Sequence, residues 1–285
     1  MTRFGINTFL FTGAFTNAAT ALFADFSSWG FDSVEIAMDN PGCIDSGLIK
    51  EALDRHGLVC GSVCAAMGPG RDLRGDALEQ ASAVEYLKSC IRLLPQLGCN
   101  LLAGPLYSTV GRANAESRED YRRQWESVVN HLKSLSRYAA DFGIRLAIEP
   151  LNRYETDFVN TAKQVKELVA AVDSPPIMIH LDSYHMNIEE KHPEEAILLA
   201  GEKLGHFHAC GTDRGTPGND HTNWSGIFSA LKQIGYTGDI VIESFTPDVQ
   251  IIAKAASIWR QIEPSQKDIA IDGLSFLRSQ WKNHE

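Results

Sequence analysis

The chain has 285 residues, 44% of them hydrophobic, with 26 Lys and Arg against 36 Asp and Glu and a formal charge of −10. A chain of this length buries a substantial core as one large domain. The acidic balance, with neither sign gathered into a block, disfavours nucleic acid and anionic membrane as partners.

The amino end, MTRFGINTFLFTGAF, lacks a long apolar stretch before a small-residue cleavage site. No run approaches the roughly 20 apolar residues of a membrane helix, so a soluble, cytoplasmic protein is expected. The six cysteines, Cys43, Cys60, Cys64, Cys90, Cys99 and Cys210, sit mostly in apolar runs without a CxxC pair or a repeated spacing. They read as reduced, buried small hydrophobes.

In chain order, short β-rich runs occur at residues 3 to 9, 33 to 38, 58 to 65, 100 to 106, 145 to 149, 177 to 182, 204 to 210 and 239 to 244. Helix-periodic or polar segments separate them. Trp125, Val128, Val129, Leu132, Leu135, Ala139 and Phe142 recur at intervals of three and four, as on one face of an amphipathic helix. Thr161 and Gln164 have the spacing of a capping box, and the Ser-Pro-Pro at 174 to 176 closes that helix. A glycine precedes five of the runs, in WGFD, HGLV, LGCN, FGIR and IGYTGD, where a helix ending in a left-handed residue turns into a strand. DIAIDGLSFLRSQWKNH at the carboxyl end reads as a closing amphipathic helix.

Strands that are apolar on both faces and separated by helices imply a parallel sheet. Eight units in about 250 residues point to an α/β (β/α)8 barrel, residues 1 to 285 as a single domain with a C-terminal helix. A doubly wound open sheet is the runner-up. GPGRDLRGD, 68 to 76, is a candidate lid.

The carboxyl ends of barrel strands form the reactive rim. Glu149, Asp182, His208 and Glu243 close the fifth to eighth runs. Each alone reads equally well as a helix cap or a core residue, but three carboxylates buried together without a cation are very costly. As a set they make an oxygen-rich site for a divalent metal, Mn²⁺ in first place with Co²⁺ or Mg²⁺ as alternatives, and they leave positions open for substrate. Glu155, His185 and Arg214 fall in loops expected on the same rim, and His185 and Arg214 have donors suited to sugar hydroxyls or a developing enolate. Asn152 and Arg153 are expected to fix their loop. GTDRGTPGNDH reads as a loop that aims Arg214, and His206 is expected to be structural, pointing to the opposite side of its strand from His208.

IEPLNRYET, HLDSYHMNIEE, GHFHACGTDRGTPG and IVIESF resemble the signature regions of the D-tagatose 3-epimerase family, which includes the allulose and L-ribulose 3-epimerases within the xylose-isomerase-like TIM barrels. The motifs cover residues 145 to 245 closely. The resemblance implies an isomerase of carbohydrate metabolism that inverts C3 of a free ketose of the tagatose, fructose, allulose or ribulose class. It further implies one metal ion per subunit, manganese or cobalt, bound by Glu149, Asp182, His208 and Glu243. Glu149 and Glu243 would exchange protons at C3, Glu155, His185 and Arg214 would contact substrate, and the protein would be a homodimer or homotetramer. The chain departs from the pattern at Ser244, where the family often has Pro, and around Arg214, and its first four strand ends cannot be matched residue by residue.

C3 inversion needs two acid/base groups on opposite sides of a flat intermediate, and strands five and eight stand three steps apart around an eight-strand rim. The expected chemistry is proton abstraction and return through a metal-bound cis-enediolate. The alternatives are an aldose-ketose or hydroxypyruvate-type isomerase, an epimerase of another keto-sugar, a repair nuclease on the same barrel, and a non-catalytic sugar-binding module. The charge of −10 disfavours the nuclease.

Overall fold

The computed structural model describes residues 2 to 284. Eight parallel strands follow one another around a closed barrel: β1 Phe4–Asn7, β2 Ser33–Met38, β3 Val59–Ala65, β4 Leu101–Gly104, β5 Arg145–Ile148, β6 Ile177–Asp182, β7 Leu204–Ala209 and β8 Ile240–Ile242. β8 pairs in parallel with β1, which closes the sheet and excludes the open alternative. All eight expected runs become strands, several of them trimmed for local reasons. β1 stops at Asn7 because its side chain accepts the Phe9 N–H and starts a 3-10 turn. β4 stops at Gly104, which has φ +119° and is followed by Pro105.

The helices are α1 Leu22–Trp29, α2 Ser46–Arg55, α3 Ala77–Leu93, α4 Arg118–Asp141, α5 Ala162–Val172, α6 Ser183–Glu189, α7 Pro193–Ala200, α8 Trp224–Gln233, α9 Gln250–Ala255 and α10 Gln266–Asn283. The apolar face of α4 buries Val128, Val129, Leu132, Leu135 and Ala139. Phe142 falls just past its end and stays 38% exposed. α5 begins with the expected reciprocal cap between Thr161 and Gln164. The five pre-strand glycines, Gly30, Gly57, Gly98, Gly143 and Gly235, all have positive φ, the left-handed stop that lets a helix turn at once into a strand.

Side chains alternate across each strand, so the barrel has two apolar zones. The large one, including Ile6, Ile36, Leu102, Leu146, Ile179, Phe207 and Ile242, joins residues of the sheet to residues of the surrounding helices. A small one, Leu101, Ala103 and Ala147 with Met178, draws on strands β4 to β6 only. Small residues there leave room for large polar side chains from neighbouring strands.

At the amino end of β8, Asp239 accepts from Arg3 at 2.8 Å and from the Ser33 hydroxyl at 2.7 Å. A Cβ at Gly61 would lie 2.1 Å from the Asp239 carboxylate, so glycine is required there for close approach. Gly61→Ala is expected to displace Asp239 and lower stability by about 1–3 kcal/mol, measured by urea unfolding.

Candidate active site

The four strand-end residues converge. Glu149 follows β5, Asp182 ends β6, His208 lies in β7 and Glu243 follows β8, and one ligand atom from each lies within 4.8 Å of the others. All four are buried. The parallel register places Asp182 beside His208, so adjacent strands deliver both at the same height.

Asp182 and Glu243 each divide their two oxygens between tasks. Asp182 Oδ1 accepts the Tyr184 N–H at 2.7 Å, capping α6, while Oδ2 accepts from Arg214 Nη1 at 2.7 Å. The helix-cap reading and the site reading of Asp182 are therefore both met by one residue. Glu243 Oε1 accepts from Asn7 at 3.0 Å, and Oε2 lies 3.3 Å from Arg214 Nη1 and 3.2 Å from His208 Nδ1. Glu149 Oε1 is buried without a hydrogen-bond partner, as is His208 Nδ1 by angle.

Electrostatics follow from three carboxylates facing one guanidinium. Burial raises the Glu149 carboxyl well above its ordinary range, and the neighbouring Glu243 charge adds to the shift. Burial also raises Asp182, with Arg214 pulling the other way. For His208 burial opposes the charged form, but Glu35 and Glu243 outweigh it and push the imidazole well up. Burial lowers His185, and the Arg214 charge lowers it further.

Arg214 is shaped for this position. Its φ of +69° is unusual for a residue with a side chain, and the turn is held by the Phe245 N–H donating to the Arg214 carbonyl at 2.9 Å. The guanidinium lies over Tyr184 at 4.1 Å and over Phe245 at 4.7 Å. The Gly-rich loop after β7 thus aims Arg214 into the cluster.

His185 belongs to the first turn of α6, a correction to its expected place in a loop: Asp182 caps the chain into a helix immediately after the strand. The Asn152 backbone N–H points at His185 Nδ1 at 3.0 Å and Arg214 Nη2 at Nε2 at 3.1 Å, so donors meet both ring nitrogens although a neutral ring accepts at only one. Arg214 and His185 are thus in direct contact, and both line the same cavity. Asn152 also donates to Glu155 at 2.8 Å, which organises the β5 loop as expected. Arg153 pairs with Glu189 at 2.9 Å and anchors that loop from outside.

These groups open on a cavity of about 210 Å³. Glu149, Glu155, His185, Arg214 and Glu243 line one side, and Phe9, Met67, Val110, Leu151, Phe245 and Ile252 the other. Gly68 of the candidate lid lines it too. That segment is tied down by Asp72, which accepts from Arg112 at 2.9 Å, and by the buried Arg74, which donates to Gln124 at 2.8 Å and to Asp157 at 2.5 Å.

His206 faces the same way as His208, because residues two apart on a strand share a face; the expected opposite orientation is overturned. Their ring centroids are 4.9 Å apart, and both imidazoles reach Glu35, each with Nε2 2.6 Å from a carboxylate oxygen. Glu35, within β2, and Asn7, at the end of β1, escaped the sequence reading. Their signal was a charged or amide side chain inside an otherwise apolar run, SVEIAM and FGIN. Burial opposes the charge of Glu35, but the two histidines hold its carboxyl well below the ordinary range. His180 is fully buried, its Nδ1 3.6 Å from Glu149 Oε2.

The donor set fits a divalent cation. Three carboxylates and an imidazole lone pair meet within one coordination sphere's reach, and two of the donor atoms, on Glu149 and His208, have no protein partner. Among the described residues, no helix is long and apolar enough to cross a membrane.

Residues 23 to 280 match the family model described as the xylose isomerase-like TIM barrel. The chain belongs to that family. Within it, the chain is 35% identical to a probable ketose 3-epimerase of Synechocystis sp., the match covering 99% of this chain and 98% of that protein. Its fold superposes on an L-ribulose 3-epimerase structure with a TM-score of 0.93 at 29% identity, covering 100% of this chain and 96% of the other. The D-allulose 3-epimerase of Methylomonas sp., solved in complex with D-allulose, gives a TM-score of 0.91 at 30% identity, covering 98% of this chain and 97% of the other.

Removing the one guanidinium leaves Asp182 and Glu243 uncompensated. Arg214→Ala is expected to destabilise the chelator-treated protein by about 3–5 kcal/mol in urea unfolding.

Proposed function

We propose that the protein is a metal-dependent ketose 3-epimerase, an isomerase that inverts C3 of a free ketose of the allulose, tagatose, fructose or ribulose class. The observation that carries this reading is the meeting of Glu149 and Glu243, from strands three steps apart, at one buried cluster on the floor of one small cavity. Relatives and structural neighbours named ketose, L-ribulose and D-allulose 3-epimerases support it.

Glu149, Asp182, His208 and Glu243 would hold a divalent ion, Mn²⁺ first and Co²⁺ or Mg²⁺ as alternatives. Such an ion supplies Lewis acidity that polarises a substrate carbonyl and stabilises developing negative charge. The remaining work falls to the chain's own groups. One glutamate, as carboxylate, takes the C3 hydrogen as a proton from one face of the sugar. The C–H bonding pair becomes the C2–C3 double bond and the carbonyl pair moves onto O2, giving a cis-enediolate. The other glutamate, as carboxylic acid, returns a proton to the opposite face of C3. The two carboxyl groups have then exchanged protonation states, so the forward and reverse reactions use them in opposite order.

Burial suits Glu149 to this exchange, since a carboxyl raised towards neutrality can give a proton as well as take one. His185 and Arg214, side by side on the cavity wall, would contact the sugar, with the Arg214 guanidinium facing an oxygen that gains charge in the enediolate. Glu155, fixed by Asn152, would accept from a hydroxyl. The apolar opposite wall, with Phe9, Met67, Val110 and Ile252, would pack the distal carbons and offers no cation for a phosphate.

In heavy water, turnover of a free ketose is expected to place deuterium at C3, read by NMR; deuterium at C1 with formation of an aldose would indicate an isomerase instead. Glu149→Gln and Glu243→Gln are each expected to lower kcat by about 10²–10⁴-fold in the same assay. Chelation should abolish ketose interconversion and Mn²⁺ restore it, with the loaded enzyme unfolding about 2.7 kcal/mol harder at a hundredfold excess of Mn²⁺ over its Kd. A sugar-binding module would show no turnover under either condition.

A further inference from the structure

Glu35 sits in β2, outside the half of the barrel that supplies the four candidate ligands, and is completely buried. Its carboxylate collects four hydrogen bonds from three other strands. Oε1 lies 2.7 Å from Asn7 Nδ2 and 2.6 Å from His208 Nε2. Oε2 lies 2.6 Å from the Ser62 hydroxyl and 2.6 Å from His206 Nε2. Asn7 and Ser62 belong to β1 and β3, and both histidines to β7.

An ionised carboxylate only accepts, so each imidazole must carry its proton on Nε2. With Nε2 committed to Glu35, Nδ1 is the nitrogen of His208 that faces the cluster, 3.2 Å from Glu243 Oε2, and the one that the neutral ring would offer to a cation. The same Asn7 amide that donates to Glu35 also donates to Glu243 Oε1 at 3.0 Å. One buried carboxylate is therefore tied, directly or through one amide, to two of the four groups in the cluster.

We propose that Glu35 is the positioning residue of the metal centre: it fixes the ring angle of His208 and, through Asn7, sets the rotamer of Glu243. This rests on the metal-binding reading above. A carboxylate behind a ligating imidazole orients the ring and strengthens it as a donor, and loss of such a partner commonly weakens metal binding 10–100-fold. Glutamine cannot replace it silently. Its amide keeps the volume but puts N–H donors where two of the four bonds need an acceptor, and it removes the charge.

The test is Mn²⁺ affinity of the purified full-length protein, by calorimetry and by electron paramagnetic resonance of free Mn²⁺. Wild type, Glu35→Gln and Ser62→Ala are compared, with Asp182→Asn as a ligand-loss control and circular dichroism to verify folding. Glu35→Gln is expected to weaken Mn²⁺ binding 10–100-fold, and ¹⁵N-detected imidazole shifts should show His208 losing its Nε2–H bond to the residue 35 carboxylate. At saturating Mn²⁺, much of the lost kcat should return, which a collapse of the barrel would not permit. Should Glu35→Gln fail to fold, Ser62→Ala, which removes one of the four bonds, carries the test with an expected weakening of several-fold. Wild-type affinity in the folded Glu35→Gln protein, or in Ser62→Ala where that variant stands in, would overturn the role of Glu35 alone. Absence of Mn²⁺ binding in the wild type would instead overturn the metal reading on which it rests.

Discussion

Three carboxylates buried at one end of a barrel are the constraint to which the rest of this structure answers. Glu149, Asp182 and Glu243 lie within reach of one another and of His208, where water cannot screen their repulsion. Arg214 supplies one positive charge, clamped between Tyr184 and Phe245 and entered through a left-handed backbone. That arrangement answers part of the repulsion. A divalent ion at the same donors would answer the remainder.

The barrel makes the cluster possible by separating its two apolar zones. Branched and aromatic residues join the strands to the helices, while the interior near Ala103 and Ala147 is built from small side chains. Into that room project His180, His206 and His208, with Glu35 beneath them. The interior is thus polar on the β6–β7 side and apolar on the β4–β5 side. Hydrogen bonds from β1, β3 and β7 to a β2 carboxylate fix strand positions across the barrel, so ligand geometry and barrel closure share the same contacts.

Legibility in the sequence tracked distance along the chain. The eight strands, the α5 capping box and the pre-strand glycines depend on residues within a few positions of each other, and these were readable. Strand-end positions of Glu149, Asp182, His208 and Glu243 were readable as well, because an apolar run that stops on a charge is a local pattern. Glu35 was hidden by the opposite pattern, a charge in the middle of a run, whose partners Asn7, Ser62 and His208 stand 28, 27 and 173 positions away. His185 was misplaced into a loop because the helix that holds it is seven residues long and starts directly from a strand, with Asp182 acting both as its cap and as a member of the cluster.

By itself, then, the sequence determined the repeating strand-helix unit, its count, and which side chains stand at the strand ends, since all of these follow from hydrophobic period and local capping. Only the tertiary structure decided which of those side chains meet, which groups face each nitrogen of His185 and His208, and where Arg214 points. Those outcomes depend on closure of β8 onto β1 and on hydrogen bonds between residues far apart in the chain, and no local pattern encodes the angle at which two strands present their side chains to a common centre.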